Sequence, residues 1–256
     1  MKFTLRKEEW QPDYRAYRFY KKDWVICLGK MLLIGALVSW LFYHSAAAML
    51  LLIPFCPFWI RKTKKEKAEN RRERLRYEFK ECLQSVSGAL HAGYSMENAW
   101  KDAEADMMRF LGEDADMTRE LQRMNRQIRL NTPMEKLLQD FAFRSGLEDV
   151  QSFCQVFQFA KRGGGDLTEI IQNTSMRIGD KVELEREIKT TMSAKRMEQR
   201  IMSVMPLFIL MYIGLTSPEF LSVLYGNPLG ILVMSVCLAA YGGSVLLAKK
   251  IVNIKI

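Results

Sequence analysis

Apolar side chains crowd into two stretches, residues 24–60 and 201–248, and the block between them is heavily charged. The first stretch is too long for one membrane crossing. At about 1.5 Å per residue a single helix would exceed 50 Å, against a hydrocarbon core of about 30 Å. Two helices, about 24–43 and 46–60, turning near His44 and Ser45, fit the length. Pro54 and Pro57 are expected to bend or end the second of them near the membrane surface. The second stretch divides likewise. A helix over 201–217 with a kink at Pro206 precedes turn signals at Ser217-Pro218-Glu219 and Gly226-Asn227-Pro228, and a last helix covers 229–248.

The polar block, residues 61–200, reads as helical throughout. Phe79, Leu83, Val86 and Leu90 recur at spacings of four, three and four, which puts them on one helix face. Gly93 can end that helix and Ser95 can cap the next, which carries Met96, Ala99 and Trp100. Residues 114–130 form another candidate. Thr132-Pro133-Met134-Glu135 has the form of a capping box with proline at the first helical position, ahead of Leu137, Leu138, Phe141 and Ala142. Phe153, Cys154, Phe157 and Ala160 mark a helix that stops at Gly163-Gly164-Gly165. Asp166 and Glu169 suggest a second capping box for a helix running through Ile170, Ile178, Leu184, Ile188 and Met192 toward the second apolar stretch. No alternating apolar pattern of any length occurs, so the expected fold is all-α: four transmembrane helices in two hairpins and a bundle of about six helices. The parts are a basic N-terminal segment (1–23), a hairpin (24–60), the bundle (61–200), a second hairpin (201–248) and a tail (249–256).

Charge gives this arrangement a direction. The formal net charge is +9. Within the polar block, residues 61–76 carry nine basic and three acidic side chains, and 186–200 carry five and two. Residues 77–185 carry 13 basic and 19 acidic ones. Positive charge therefore lies beside the apolar stretches, as the positive-inside rule produces. Arg61, Lys62, Lys64 and Lys65 after the first hairpin, and Lys249 and Lys250 after the last helix, form a basic collar. Anionic lipid headgroups attract such groups by about 1 kcal/mol each near the surface. Bundle and both termini are then cytoplasmic, and residues 1–23, with Trp10, Tyr14, Tyr17, Phe19 and Tyr20, read as an interfacial segment leading into the first span. Lys30, about two turns inside that span, can snorkel outward. A nucleic-acid partner is disfavoured, because the basic face it requires would point at the bilayer.

The residues offer little catalytic chemistry. The five cysteines form no CxxC pair and read as small buried apolar side chains, with no disulfide framework or zinc site. Gly163-Gly164-Gly165 lacks both the preceding strand and the following Gly-Lys-Ser/Thr of a phosphate loop. His44 and His91 stand far apart. The acidic run Glu104, Asp106, Glu113, Asp114 and Asp116 lacks calcium-loop spacing and reads as a solvated face. It also suits docking of a basic partner surface, with salt-sensitive encounter. No cofactor is expected.

Several stretches resemble a known family. Residues 79–100, with Leu83, Leu90, Ala92-Gly93-Tyr94-Ser95 and Ala99, resemble the opening of the bacterial type II secretion system F domain. The turn at 163–167 resembles that domain's second turn, and 187–206 its exit into a membrane helix. The tail (Ser217-Pro218-Glu219-Phe220-Leu221, Pro228-Leu229-Gly230 and residues 249–256) resembles the C-terminus of TadB-like proteins of the tight-adherence (Flp) pilus system. One departure is Cys82-Leu83, where the family pattern suggests a proline. The resemblance implies a non-enzymatic inner-membrane platform for type IV-like pilus or type II pseudopilus assembly. Its implied partners are a cytoplasmic secretion or pilus assembly ATPase, a sister F-domain (TadC-like) protein, pilin subunits and membrane lipid. Larger relatives carry two copies of the domain, which implies a homo- or heterodimer here. A membrane-anchored signalling protein with a helical core is the alternative, although no nucleotide-binding motif is found.

Overall fold

The computed structural model describes residues 13–15, 21–43, 56–163, 167–217, 219 and 227–252. Among them there are eight helices and no strand: α1 (Lys21–Tyr43), α2 (Cys56–His91), α3 (Met96–Leu111), α4 (Asp116–Ile128), α5 (Met134–Ser145), α6 (Glu148–Gly163), α7 (Leu167–Thr216) and α8 (Pro228–Val252). The chain forms two compact units. Met1–Arg18 with Lys64–Leu184 make the first, here the head; Phe19–Thr63 with Glu185–Ile256 make the second.

The head is organised around the apolar face of α2. Phe79, Leu83, Val86 and Leu90, the residues of the four-three-four pattern, are all buried. Phe79 meets the ring of Phe153 edge-on at 5.8 Å and that of Phe141 at 6.0 Å, which joins α2 to α5 and α6. Trp100 and Ala103 of α3, Met117 and Leu121 of α4, Leu138 of α5, and Ile171 and Ile178 of α7 complete the core. Gly93 takes a positive φ of 88°, and the amides of Gly93 and Tyr94 bond back to the carbonyls of Leu90 and Ala89, closing α2 as the sequence suggests.

Three helix starts differ from expectation. Ser95 stands at the N-cap of α3, but its side chain makes no capping bond. Pro133, not Thr132, is the N-cap of α5, and again there is no side-chain cap. Glu135 does not reach back in a capping box; it pairs with Lys161 of α6 at 2.6 Å, a charged partner that outcompetes a backbone amide. Pro57 does not stop a helix. It lies within α2, which continues unbroken past it through residues 61–76. The expected box at Asp166 falls outside the described residues.

In the second unit Leu41 and Phe42 of α1 pack with Met234 of α8, and Leu207, Leu210 and Leu238 flank them. The Tyr241 hydroxyl of α8 donates to the Ser203 carbonyl of α7, and Gln199 donates to the Ser203 hydroxyl at 3.0 Å. Val25, Leu33, Phe208, Tyr212, Leu229 and Leu247 point outward, a surface suited to lipid rather than water. Among the described residues, three helices are long and apolar enough to cross a membrane: Trp24–Phe42, Leu229–Ile251 and part of Thr168–Thr216. Of the expected span 46–60, residues 46–55 lie outside the described residues. Pro206 sits within α7 without interrupting it. Cys27, Cys82 and Cys154 are buried as expected, whereas Cys237 is exposed, on the outward side of α8.

Candidate functional site

The expected acidic row does not form one solvated face. Asp116 receives two bonds from Arg71 of α2, at 2.9 and 2.7 Å. Asp106 accepts from the Ser85 hydroxyl at 2.6 Å, and Glu104 from the Asn125 amide at 2.7 Å. These three, partly buried, join α2, α3 and α4 to each other. Glu113 and Asp114, in the α3–α4 turn, are the two that face solvent, Asp114 beside Arg119 at 2.5 Å. An exposed pair of this kind contributes at most about 1 kcal/mol. Among the described residues, no three His, Cys, Asp or Glu side chains gather as a metal site would require. Arg61, Lys62, Lys64 and Lys65 are exposed on α2, and Lys249 and Lys250 on the last turns of α8.

The head instead concentrates charge in its interior, around Glu120 of α4. The Glu120 side chain is fully buried. Arg144 of α5 donates to both of its oxygens, at 2.6 and 2.7 Å, and Arg123 stands at 3.5 Å. Both arginines also reach Asp140, at 2.9 and 3.0 Å. The third donor to Glu120 comes from the N-terminal segment. The Tyr14 hydroxyl bonds Oε1 at 3.0 Å, the Tyr14 amide donates to the Arg144 carbonyl at 3.2 Å, and the Arg71 guanidinium lies 4.8 Å over the ring. Tyr14 is 1% exposed. Desolvation by burial, then the charges of Glu120 and Asp116, push its phenol far above its usual range, so it stays a neutral donor. Burial alone would lower Arg144; its bonds and attraction to Glu120 and Asp140 raise it instead, and it stays charged.

Two further ion-pair groups connect the helices of the head. Asp149 of α6 receives Arg76 of α2, and Lys181 of α7 at 2.9 Å. Glu78 of α2 pairs with Arg74 at 2.8 Å and accepts the amide of Met117, which opens α4, at 3.0 Å. His91, at the end of α2, bonds Gln172 of α7 at 3.0 Å. Such interlocked pairs hold helices in register; none of them sets a nucleophile against a base.

Between α5 and α6, Gly146 takes the left-handed conformation (φ 59°), and its carbonyl accepts from Arg72. A Cβ there would stand 2.8 Å from Nε of Arg15. Arg15 is exposed, with its guanidinium 4.8 Å from the Phe143 ring, and can swing away, so backbone strain decides the outcome. Gly146→Ala is predicted to destabilise the head by about 1–2 kcal/mol. Denaturant titration of the two proteins checks this; an unchanged midpoint contradicts it.

Sequence reasoning missed Glu120 and Arg144, and it placed Tyr14 in an interfacial segment, whereas the structure buries it in the core of the head. One signal for the first was present. Glu120 and Arg123 share the face of α4 that carries Met117, Leu121 and Met124, and charged residues on an apolar face are buried only as partners. Nothing local marks Tyr14, whose hydrogen-bond partners Glu120 and Arg144 lie more than a hundred residues away.

A model of the family described as type II secretion system (T2SS), protein F, matches residues 82–215, just over half of the chain. Comparisons with curated proteins and with solved structures found no match.

Proposed function

Because the chain belongs to the type II secretion protein F family, whose members are non-enzymatic inner-membrane platform proteins of secretion and pilus assembly, we propose that it is the platform of a tight-adherence (Flp-type) pilus. In this role the head receives position or motion from a cytoplasmic assembly ATPase, and the apolar helices present it to pilin subunits. The observation that carries the reading is the extent of the family match. It begins on the core face of α2 and ends in the apolar part of α7, covering the head from Cys82 onward together with its exit toward a membrane. The assignment to a pilus system of this type rests on the tail motifs at 217–221, 228–230 and 249–256, which lie beyond the matched residues. The reading has four spans, from the length of the two apolar stretches, with the head and both termini cytoplasmic, which the collar of Arg61, Lys62, Lys64, Lys65, Lys249 and Lys250 supports. A sister F-domain protein or a second copy supplies the paired domain that larger relatives carry in one chain.

The ATPase-facing surface is assigned to the acidic side of the head at the α3–α4 turn. Reversing Glu104, Asp106 or Asp116 would break contacts inside the head, so Glu113→Lys with Asp114→Lys is the informative change. Pull-down of the assembly ATPase from detergent extracts is predicted to weaken several-fold with this double variant and with rising salt. Binding indifferent to both removes the docking assignment. The larger reading is tested in cells. Deletion should abolish piliation, and a crosslinker on the head should trap the ATPase; normal pili and no adduct would defeat it. Reporter fusions that placed residues 61–200 outside the cytoplasm would defeat it equally.

A further inference from the structure

We propose that the N-terminal segment is a strap, seated in the head by Tyr14 and continuous within a few residues with the apolar helix α1. Tyr14 belongs to no helix, and both its neighbours, Asp13 and Arg15, are exposed, yet it is among the most deeply buried large side chains of the chain. Three helices build its socket. Arg71 of α2 covers the ring, Glu120 of α4 accepts the hydroxyl, and Arg144 of α5 accepts the amide through its carbonyl. Tyr14 is counted in the head's core, yet the socket's acceptor is itself held on both oxygens by Arg144, so Glu120 keeps two of its bonds when the tyrosine leaves. Arg15 adds a looser contact on the Phe143 ring.

The consequence lies in connectivity. Residues 16–20 are all that separate Arg15 from Lys21, where α1 begins, and the six steps between them reach at most about 22 Å. With Tyr14 seated, the chain is fixed to the head a few residues before α1 begins; with Tyr14 out, that fixed point is lost. The head thus has a third covalent route toward an apolar helix, beside α2 and α7, and this route can be opened without unfolding any helix.

Hydrogen exchange on the full chain in lipid nanodiscs tests it. In the wild type, amides 13–15 are expected to be protected well beyond a free peptide, since the Tyr14 amide is bonded and its side chain buried. Tyr14→Phe, which removes only the bond to Glu120, should raise their exchange by about ten- to a hundredfold. Tyr14→Ala should bring them to the free-peptide rate while the peptides carrying Phe79 and Phe153 stay protected. Free-peptide exchange at 13–15 in the wild type would overturn the proposal. So would protection unaffected by Tyr14→Ala. Loss of protection across the whole head in that variant would also overturn it, because Tyr14 would then be part of the fold and not a separable strap.

Discussion

Arg144→Ala is expected to destabilise the head by about 3–5 kcal/mol, the cost of leaving a buried carboxylate without its principal partner. Glu120 would keep the Tyr14 hydroxyl and Arg123 at 3.5 Å, but would lose both short bonds, of 2.6 and 2.7 Å. Asp140 would lose one of its two arginines as well. A solvated pair such as Lys195–Glu198 offers the contrast: Lys195→Ala should cost less than about 1 kcal/mol. Pulse proteolysis of the full chain across a urea series measures both. The pairing also predicts non-additivity. Glu120→Gln combined with Arg144→Met should be less damaging than the two single changes summed, because no charge then remains buried unpaired. An Arg144→Ala midpoint close to wild type would mean that water reaches Glu120 and that the interior of α4 and α5 is less dry than its geometry implies.

Phe79→Ala is expected to be comparably severe, about 3–5 kcal/mol, for a different reason. The ring is fully buried and touches two others on α5 and α6, so its removal opens a cavity at the centre of the head that Phe141 and Phe153 cannot both fill without leaving their own contacts. Phe159, also on α6 and 78% exposed, is the control; its truncation should change stability by no more than about 0.5 kcal/mol. If the two substitutions proved equal, the core would not be centred on the α2 face as described.

The comparison of these residues shows what the sequence could carry. Phe79, Leu83, Val86 and Leu90 announce themselves because a helix buries one side at a fixed period, and the period is local. Gly93 is legible for the same reason: a helix needs a left-handed closing residue, and glycine takes that conformation at least cost. The long runs of Leu, Ile, Val and Met in α1 and α8 are legible from length alone. Charge was the poorer guide. Asp116 and Asp106 read as solvent-facing because carboxylates usually are, and only the approach of Arg71 and Ser85 from α2 makes them internal partners. Glu135 misled in the same way, since its spacing from Thr132 fits a cap while Lys161 claims it from the next helix. Tyr14 is the extreme case, with a socket assembled from three helices that no window of sequence contains. Pairings of this kind depend on which helix faces lie side by side, and that is decided by the packing of the whole head.

The fifty-residue α7 carries a final implication. Its Ile171 and Ile178 are embedded in the head, while its far end bears Leu207, Phe208 and Tyr212. Where an α-helix carries no proline, each carbonyl is held by the amide four residues on, and bending is resisted evenly along it. Compliance concentrates at Pro206, which has no amide for the carbonyl of Met202 and whose ring crowds the preceding turn. The second unit therefore holds one built-in joint in α7, set close to where its side chains change from charged to oily.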